Sequence, residues 1–317
     1  MKLNLPILDQ LAGCEHVLIA GMGGGFDVFC GLPIFLELEQ LGYDTHLASL
    51  SFSDIAGLND GEELTDTLLG VTYDIEGLFD YFPEYYLSQW FYDERNEEVT
   101  IWCFEKTGAR PLIKNYAALV EHLDIDGIIL VDGGVDSLMR GDEPEPGTMF
   151  EDSLSLLAVN ELKNVPVRLL TCVGLGIEPE VGYAHVFENI ALATQLGAFK
   201  GSCSLLKEMD SYKRFEEAVL YTFDQQPDFA SVICSSLISA VRGAYGNYHL
   251  TKRARGSELN ISPLMPIYWF FDAPLIARRN LLLPHLRLTF TVEDAWLAMQ
   301  NMRSAVRFRE TPAYPLP

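Results

Sequence analysis

Positive charge is scarce in this sequence: 22 Lys and Arg stand against 45 Asp and Glu, a formal net charge of −23 over 317 residues. So acidic a chain repels a polyanion, which argues against nucleic acid and anionic membrane surfaces as partners. A solubility adaptation of the surface explains the same numbers equally simply. Paired cysteines are missing too. Cys14, Cys30, Cys103, Cys172, Cys203 and Cys234 are scattered, with no CxxC, and several lie in apolar runs. They read as reduced core thiols of a cytoplasmic protein. No uncharged apolar stretch of about 18 residues occurs, so no membrane span is expected. The opening MKLNLPILDQL lacks a secretory leader's charged-then-apolar pattern. GxSxG and HExxH are absent, and the six His are too dispersed for a zinc site.

What is present is a rhythm of short apolar runs and helical periods. HVLIAG ends in glycines and suits a buried parallel strand. The next segment, FDVFCGLPIFLELEQLG, has helical spacing closed by Gly42, and THLASLSF reads as a second strand. The alternation resumes at EVTIWCF and continues through IKNYAALVEHL, DGIILVDGG, EDSLSLLAVNEL, VPVRLLTCVGLG, AHVFENIALATQLG and FKGSCSLL. Helices at YKRFEEAVLYTFDQQ and FASVICSSLISAVRG, a strand at LMPIYWFFD and a helix at VEDAWLAMQNMRSAV complete the chain. Wholly apolar strands separated by helices predict one α/β domain over residues 1–317. Its expected form is three-layer α/β/α, Rossmann-like and doubly wound, around a mostly parallel sheet. Residues 54–98 interrupt it as an acidic, aromatic insertion with one short helix near EYYLSQWFYDE, packed over the sheet edge or over a pocket.

In such sheets ligands bind beyond the carboxyl ends of the strands, and the unusual residues cluster there. Gly21, Gly23, Gly24 and Gly25 precede Asp27 between the first strand and helix. Glycines at a helix N-terminus let backbone N–H groups approach a phosphate. The GxGxxG match is incomplete, with Phe26 in the third glycine's place and no acid closing strand two, which weakens a nicotinamide-dehydrogenase reading. Asp27 reads most simply as the helix N-cap.

A second group follows IILV: Asp132, Gly133, Gly134, Asp136, Arg140, Asp142 and Glu143. Carboxylates here suit Mg²⁺, with Asp132 and Asp136 as ligands, or a ribose diol, or a general base, and Arg140 suits a phosphate. The competing reading is a solvated acidic loop, with Glu151 and Asp152 serving the next helix start. A third group is Gly174, Gly176 and Glu178, then His185, Glu188 and Asn189 on one helix face. His185 with Glu188 is either a proton-transfer unit or an ordinary surface pair. Ser235 and Ser236 read as packing hydroxyls. Arg242 and His249 are weaker candidates for reaching the pocket.

Together these blocks resemble the prokaryotic family known as domain of unknown function 1152. The resemblance rests on the glycine run with Asp27, on DGGVDSLMRGDE followed by Gly147-Thr148 and Glu151-Asp152, and on CVGLGIE. It continues through HVFENIA, SSLISAVRGAYGNYH and NISPLMPIYWFF. It implies no activity. A looser similarity of arrangement, to Rossmann-like domains of the deacetylase and deoxyhypusine-synthase type, implies an NAD-like ligand.

The expected function is therefore binding of a nucleotide-like or phosphorylated small molecule, with hydrolase or group-transfer chemistry. Asp132, Asp136, His185 and Glu188 are the catalytic candidates. Gly21, Gly23, Gly24, Gly25, Asp27, Gly133, Gly134, Arg140, Asp142, Gly174, Gly176 and Asn189 are the ligand-binding candidates. The alternative is a non-catalytic sensor of the same ligand acting through a homo-oligomer.

Overall fold

The computed structural model describes residues 6–58, 60–177, 181–256 and 258–311; Glu178 of the third sequence group lies outside them. The chain opens with α1 (Pro6–Gln10), β1 (His16–Gly21), α2 (Asp27–Gln40) and β2 (Asp44–Leu50). Residues 54–98 then supply β3 (Glu62–Thr65), β4 (Leu68–Val71) and α3 (Pro83–Arg95). The alternation resumes with β5 (Ile101–Phe104), α4 (Ala109–His122), β6 (Gly127–Asp132), α5 (Met149–Glu161), β7 (Val167–Cys172), α6 (Tyr183–Gln195) and β8 (Phe199–Ser204). Next come α7 (Asp210–Gln225), α8 (Val232–Val241), β9 (Ile267–Asp272), α9 (Ala273–Ala277), α10 (Leu283–Leu286) and α11 (Val292–Ala305).

The nine strands form one mixed sheet in the order β3-β4-β5-β2-β1-β6-β7-β9-β8. Its core, β5-β2-β1-β6-β7, is parallel. β4 runs antiparallel to β5 at one side, and β9 runs antiparallel between β7 and β8 at the other. The expectation of a mostly parallel sheet therefore holds for the centre and fails at both flanks.

Helices cover both faces. Val17 and Ile19 of β1 pack in one apolar cluster with Phe29 of α2, Trp90 of α3 and Phe215 of α7. Leu18 and Ala20, on the opposite face, pack with Tyr116 of α4 and Leu157 of α5. A strand buried on both sides has no polar face, which is why HVLIAG and GIILVD read as continuous apolar runs. α2 can lie close to the sheet because of Gly31: a Cβ there would stand 2.6 Å from Ile19 Cγ2 and 3.3 Å from Val131 Cγ2. α2 ends as its sequence predicts, with Gly42 at φ +89° donating its N–H to Glu39 O.

The 54–98 segment does more than the one expected helix. Its β3–β4 hairpin extends the sheet, pairing Leu68 with Phe104 and Leu69 with Cys103. α3 starts on Pro83, ends at a left-handed Asn96 and buries Leu87, Trp90 and Phe91. Among the described residues no helix is long and apolar enough to cross a membrane. The cysteines are free thiols, all buried except the half-buried Cys203.

Candidate functional site

The chain crosses from one side of β1 to the other between β5 and β6, so strand order reverses at β1. A crevice is expected where the carboxyl ends of β1 and β6 diverge. A cavity of about 580 Å³ lies there, lined by Gly23 to Asp27 after β1 and by Asp132, Gly133 and Asp136 after β6. The first and second sequence groups thus converge. Thr148 and Asp152 from the start of α5, Phe52 after β2, Tyr81 before α3, and Phe229, Ser231, Ile233 and Arg253 complete the wall.

One end of the cavity is acidic and buried. Asp27, Asp132, Asp136 and Asp152 are each at least nine-tenths buried. Asp27 Oδ2 accepts the Gly23 N–H at 2.7 Å, and Asp132 Oδ2 accepts the Ser137 N–H at 3.1 Å. Asp136 Oδ2 accepts from the Thr148 N–H at 2.7 Å and its hydroxyl at 2.9 Å. Asp152 Oδ1 is buried with no hydrogen-bond partner among the described residues. Carboxylate oxygens of Asp27, Asp132 and Asp152 all lie within 4.8 Å of one another, a spacing compatible with a shared cation.

Crowded acids resist ionisation. Burial pushes Asp27 from 3.8 up to about 7, aided by the Asp136 charge and opposed by backbone N–H groups of Gly23, Gly133 and Gly24. Burial also holds Asp152 well above the usual range, reinforced by Asp136, Asp132, Asp27 and Glu151. Asp27 can therefore exchange a proton near neutral pH.

The glycines serve these carboxylates. A Cβ on Gly23 would meet Asp152 Oδ1 at 2.6 Å, and one on Gly133 would meet Asp27 Oδ1 at 2.7 Å. Gly24 is open, its nearest neighbour being the Phe52 ring at 3.9 Å. Asp27 is not the N-cap of α2. Phe26 occupies that position without a side-chain bond, and Asp27 opens the helix with its carboxylate folded back onto the glycine loop. Gly21 closes β1, where a Cβ would stand 2.5 Å from Val28 N, so its role is strand–helix packing.

The other end is aromatic. Phe26 lies 6.4 Å from Tyr81, and Tyr81 lies 5.5 Å from Phe229, ring centre to ring centre. Ser231 caps α8 by accepting the Cys234 N–H. Arg253 is the one cationic side chain among the described residues lining the cavity. It donates to Ala230 O at 3.3 Å.

The third sequence group does not line this cavity. His185 Nδ1 lies 3.4 Å from Glu188 Oε2 on α6, as the helical spacing predicts. The pair belongs to a separate ion network with Arg140, Asp142, Glu143 and Asn189. Arg309, from the segment after α11, donates to Asp142 at 2.8 Å, to Glu188 at 2.5 Å, and to Glu143. Burial pushes the Glu143 carboxyl up, but the Asn189 amide and the N–H groups of Arg140 and Gly141 outweigh it and hold it below its ordinary value. Arg140 is 3.7 Å from Asp142, so it faces this network. Gly134 is buried beside the cavity loop. Gly174 and Gly176, at φ +98° and +96°, turn the loop after β7 outside the cavity wall. Arg242 pairs with Glu216 on α7. A single site spanning all three groups is therefore replaced by a cavity and a neighbouring ion network.

Sequence reasoning missed Asp152, Thr148, Tyr81, Phe52 and Arg253 as lining residues. Asp152 carried a weak signal, the second of two acids, Glu151 and Asp152, in the first turn of α5, but helix-start acids are common enough to hide it.

The sheet and this strand-end cavity define an α/β protein with a small-molecule-sized pocket. By sequence the chain belongs to the family described as Protein of unknown function (DUF1152), matched over residues 87–308. That span holds Asp132, Asp136, Thr148 and Asp152 and leaves the β1 loop with Asp27 outside it. No curated protein and no solved structure matches the chain.

Proposed function

We propose that this chain binds a nucleotide-like, phosphorylated small molecule in the cavity beyond β1 and β6, and acts on it as a hydrolase or group transferase. The supporting fold reading is the three-layer, Rossmann-like, doubly wound arrangement, in which ligands sit at the reversal of strand order. One observation carries the proposal. A cavity of ligand size, about 580 Å³, has an aromatic wall at one end and a group of buried carboxyls at the other, with Asp27 among them poised to exchange a proton. Phe26, Tyr81 and Phe229 offer ring faces to a base, and Arg253 offers charge to a phosphate. Asp132 and Asp136 suit sugar hydroxyls or an attacking water. Hydride transfer is less favoured, because Ser49 and Leu50 close β2, with Ser51 after them, where a ribose-binding acid would stand.

A second reading, a non-catalytic sensor of the same ligand working through an oligomer, draws on exposed Leu288, Phe290, Trp296 and Leu297 around the start of α11.

The test is a thermal-shift screen against nucleotides, NAD(P), FAD and sugar phosphates, with turnover of any hit followed by chromatography. A ligand at a hundred times its dissociation constant adds about 2.7 kcal/mol of stability. A hit that Asp136→Asn converts to binding without turnover supports the enzyme, and a hit never turned over supports the sensor. Silence across the panel at millimolar ligand refutes both.

A further inference from the structure

The acidic end of the cavity gathers buried carboxyls, and Arg253 is the one cationic side chain among the described residues lining the cavity. Asp27, Asp132 and Asp152 arrive from three different elements, the start of α2, the end of β6 and the first turn of α5. Their oxygens converge within 4.8 Å. Clustered acids alone would signify little, because hydrogen bonds can make them structural. Asp152 breaks that explanation: it is 3% exposed, lines the cavity, and has an oxygen with no hydrogen-bond partner among the described residues. A buried, unpartnered carboxylate oxygen is costly. The backbone has also been cleared for it, since any side chain at residue 23 would collide with that oxygen.

We infer that Asp27, Asp132 and Asp152 hold one hard divalent cation, of the Mg²⁺ or Mn²⁺ class, at the base of the cavity. The donor set is oxygen only, which selects this class over zinc. The Cys30 thiol is not among the donor atoms that converge there. Asp136 stays out as well, its Oδ2 being engaged by Thr148. The cation would neutralise the acids. Through it a phosphate could enter a pocket that otherwise repels it. That last step rests on the proposed ligand class; the cation site itself does not.

The experiment is a Mn²⁺ titration of the metal-free full chain by electron paramagnetic resonance, at an ionic strength that suppresses loose binding to so acidic a surface. One site per chain is expected, displaced by Mg²⁺. Asp152→Asn and Asp132→Asn should each weaken it by about tenfold or more. Asp152→Asn keeps the shape of the side chain and takes one acid out of the crowd, so it should fold at least as well as the parent. The Asp132→Asn variant checks the site independently. His46→Ala, in the His16–Asp44–His46 cluster at the amino-terminal parts of β1 and β2, should leave the site intact. Absence of a stoichiometric site, or one lost with His46→Ala and kept in both Asp variants, overturns the inference. A thermal shift by ADP then separates the two proposals. Mn²⁺ bound with no response to any nucleotide upholds the cation and sinks the ligand class. A nucleotide response equal in EDTA and in Mg²⁺ overturns the cation's role in binding.

Discussion

Glu84 lies in the first turn of α3, fully buried, with Oε1 accepting from Ser49 Oγ at 2.9 Å. Burial pushes its carboxyl from 4.5 up to about 7, against its own backbone N–H and the hydroxyls of Ser49, Ser51 and Ser53. The sign follows from linkage. The folded chain holds this proton more tightly than the unfolded chain. The associated stability is therefore present in full below pH 4.5 and is lost as the pH rises through about 7. A shift of two to three units corresponds to about 3 kcal/mol. Glu84→Gln keeps the shape and hydrogen-bonding capacity while removing the titration. Its stability relative to the parent should be near zero at about pH 4.5 and rise to about 3 kcal/mol in its favour by about pH 8.

Urea denaturation read by tryptophan fluorescence suits the measurement, because Trp90 is buried on the same helix. Other raised acids such as Asp27 give both proteins the same slope and cancel in the difference. Parallel stability curves for the two proteins between pH 4.5 and 8 would refute the reasoning. So would a growing deficit of the variant in alkali.

Arg309→Ala should cost about 3–5 kcal/mol in urea denaturation, since it leaves fully buried Glu143 beside Asp142 and Glu188 without their shared cation. Arg309→Lys should rescue little, because a point charge cannot reach three carboxylates at once. Gly133→Ala should lose about 1–3 kcal/mol, because its Cβ would stand 2.7 Å from Asp27 Oδ1 and 3.0 Å from Cys30 Sγ. Gly24→Ala, with open space around it, should stay within about 0.5 kcal/mol of the parent on the same assay.

The parallel core was legible because strands buried on both faces leave an unbroken apolar record, and because Gly42 marks the end of α2. The β3–β4 hairpin was not. EELT and LLGV are four residues each, one acidic and one containing a glycine, and they become strands only because β5 offers a free edge. The run IYWFFD announced β9 but not its direction, which depends on where the chain re-enters between β7 and β8. For the site, local spacing placed His185, Glu188 and Asn189 on one face correctly. It could not show that Arg309, 120 residues away from Asn189, would draw them into an ion network. The same limit hid Asp152, which matters only because α5 begins beneath the β1 loop.

A glycine-rich turn at a helix N-terminus ordinarily suggests a vacant cradle for phosphate. Here the cradle is already used by the chain's own anion. Gly23 gives its N–H to Asp27, and Gly23 and Gly133 lack side chains where carboxylates of Asp152 and Asp27 must fit. The positive end of α2 therefore offsets Asp27 before any ligand arrives. Arg253 is the one cationic side chain among the described residues lining the cavity, so an anionic ligand is expected to bring a proton or a cation with it. Proton uptake would make binding strengthen as the pH falls through about 7, where Asp27 titrates. Cation uptake would make binding depend on divalent metal and weaken in acid, because protons compete for the same oxygens. Opposite pH trends thus separate the two ways in which so acidic a pocket can accept a phosphate.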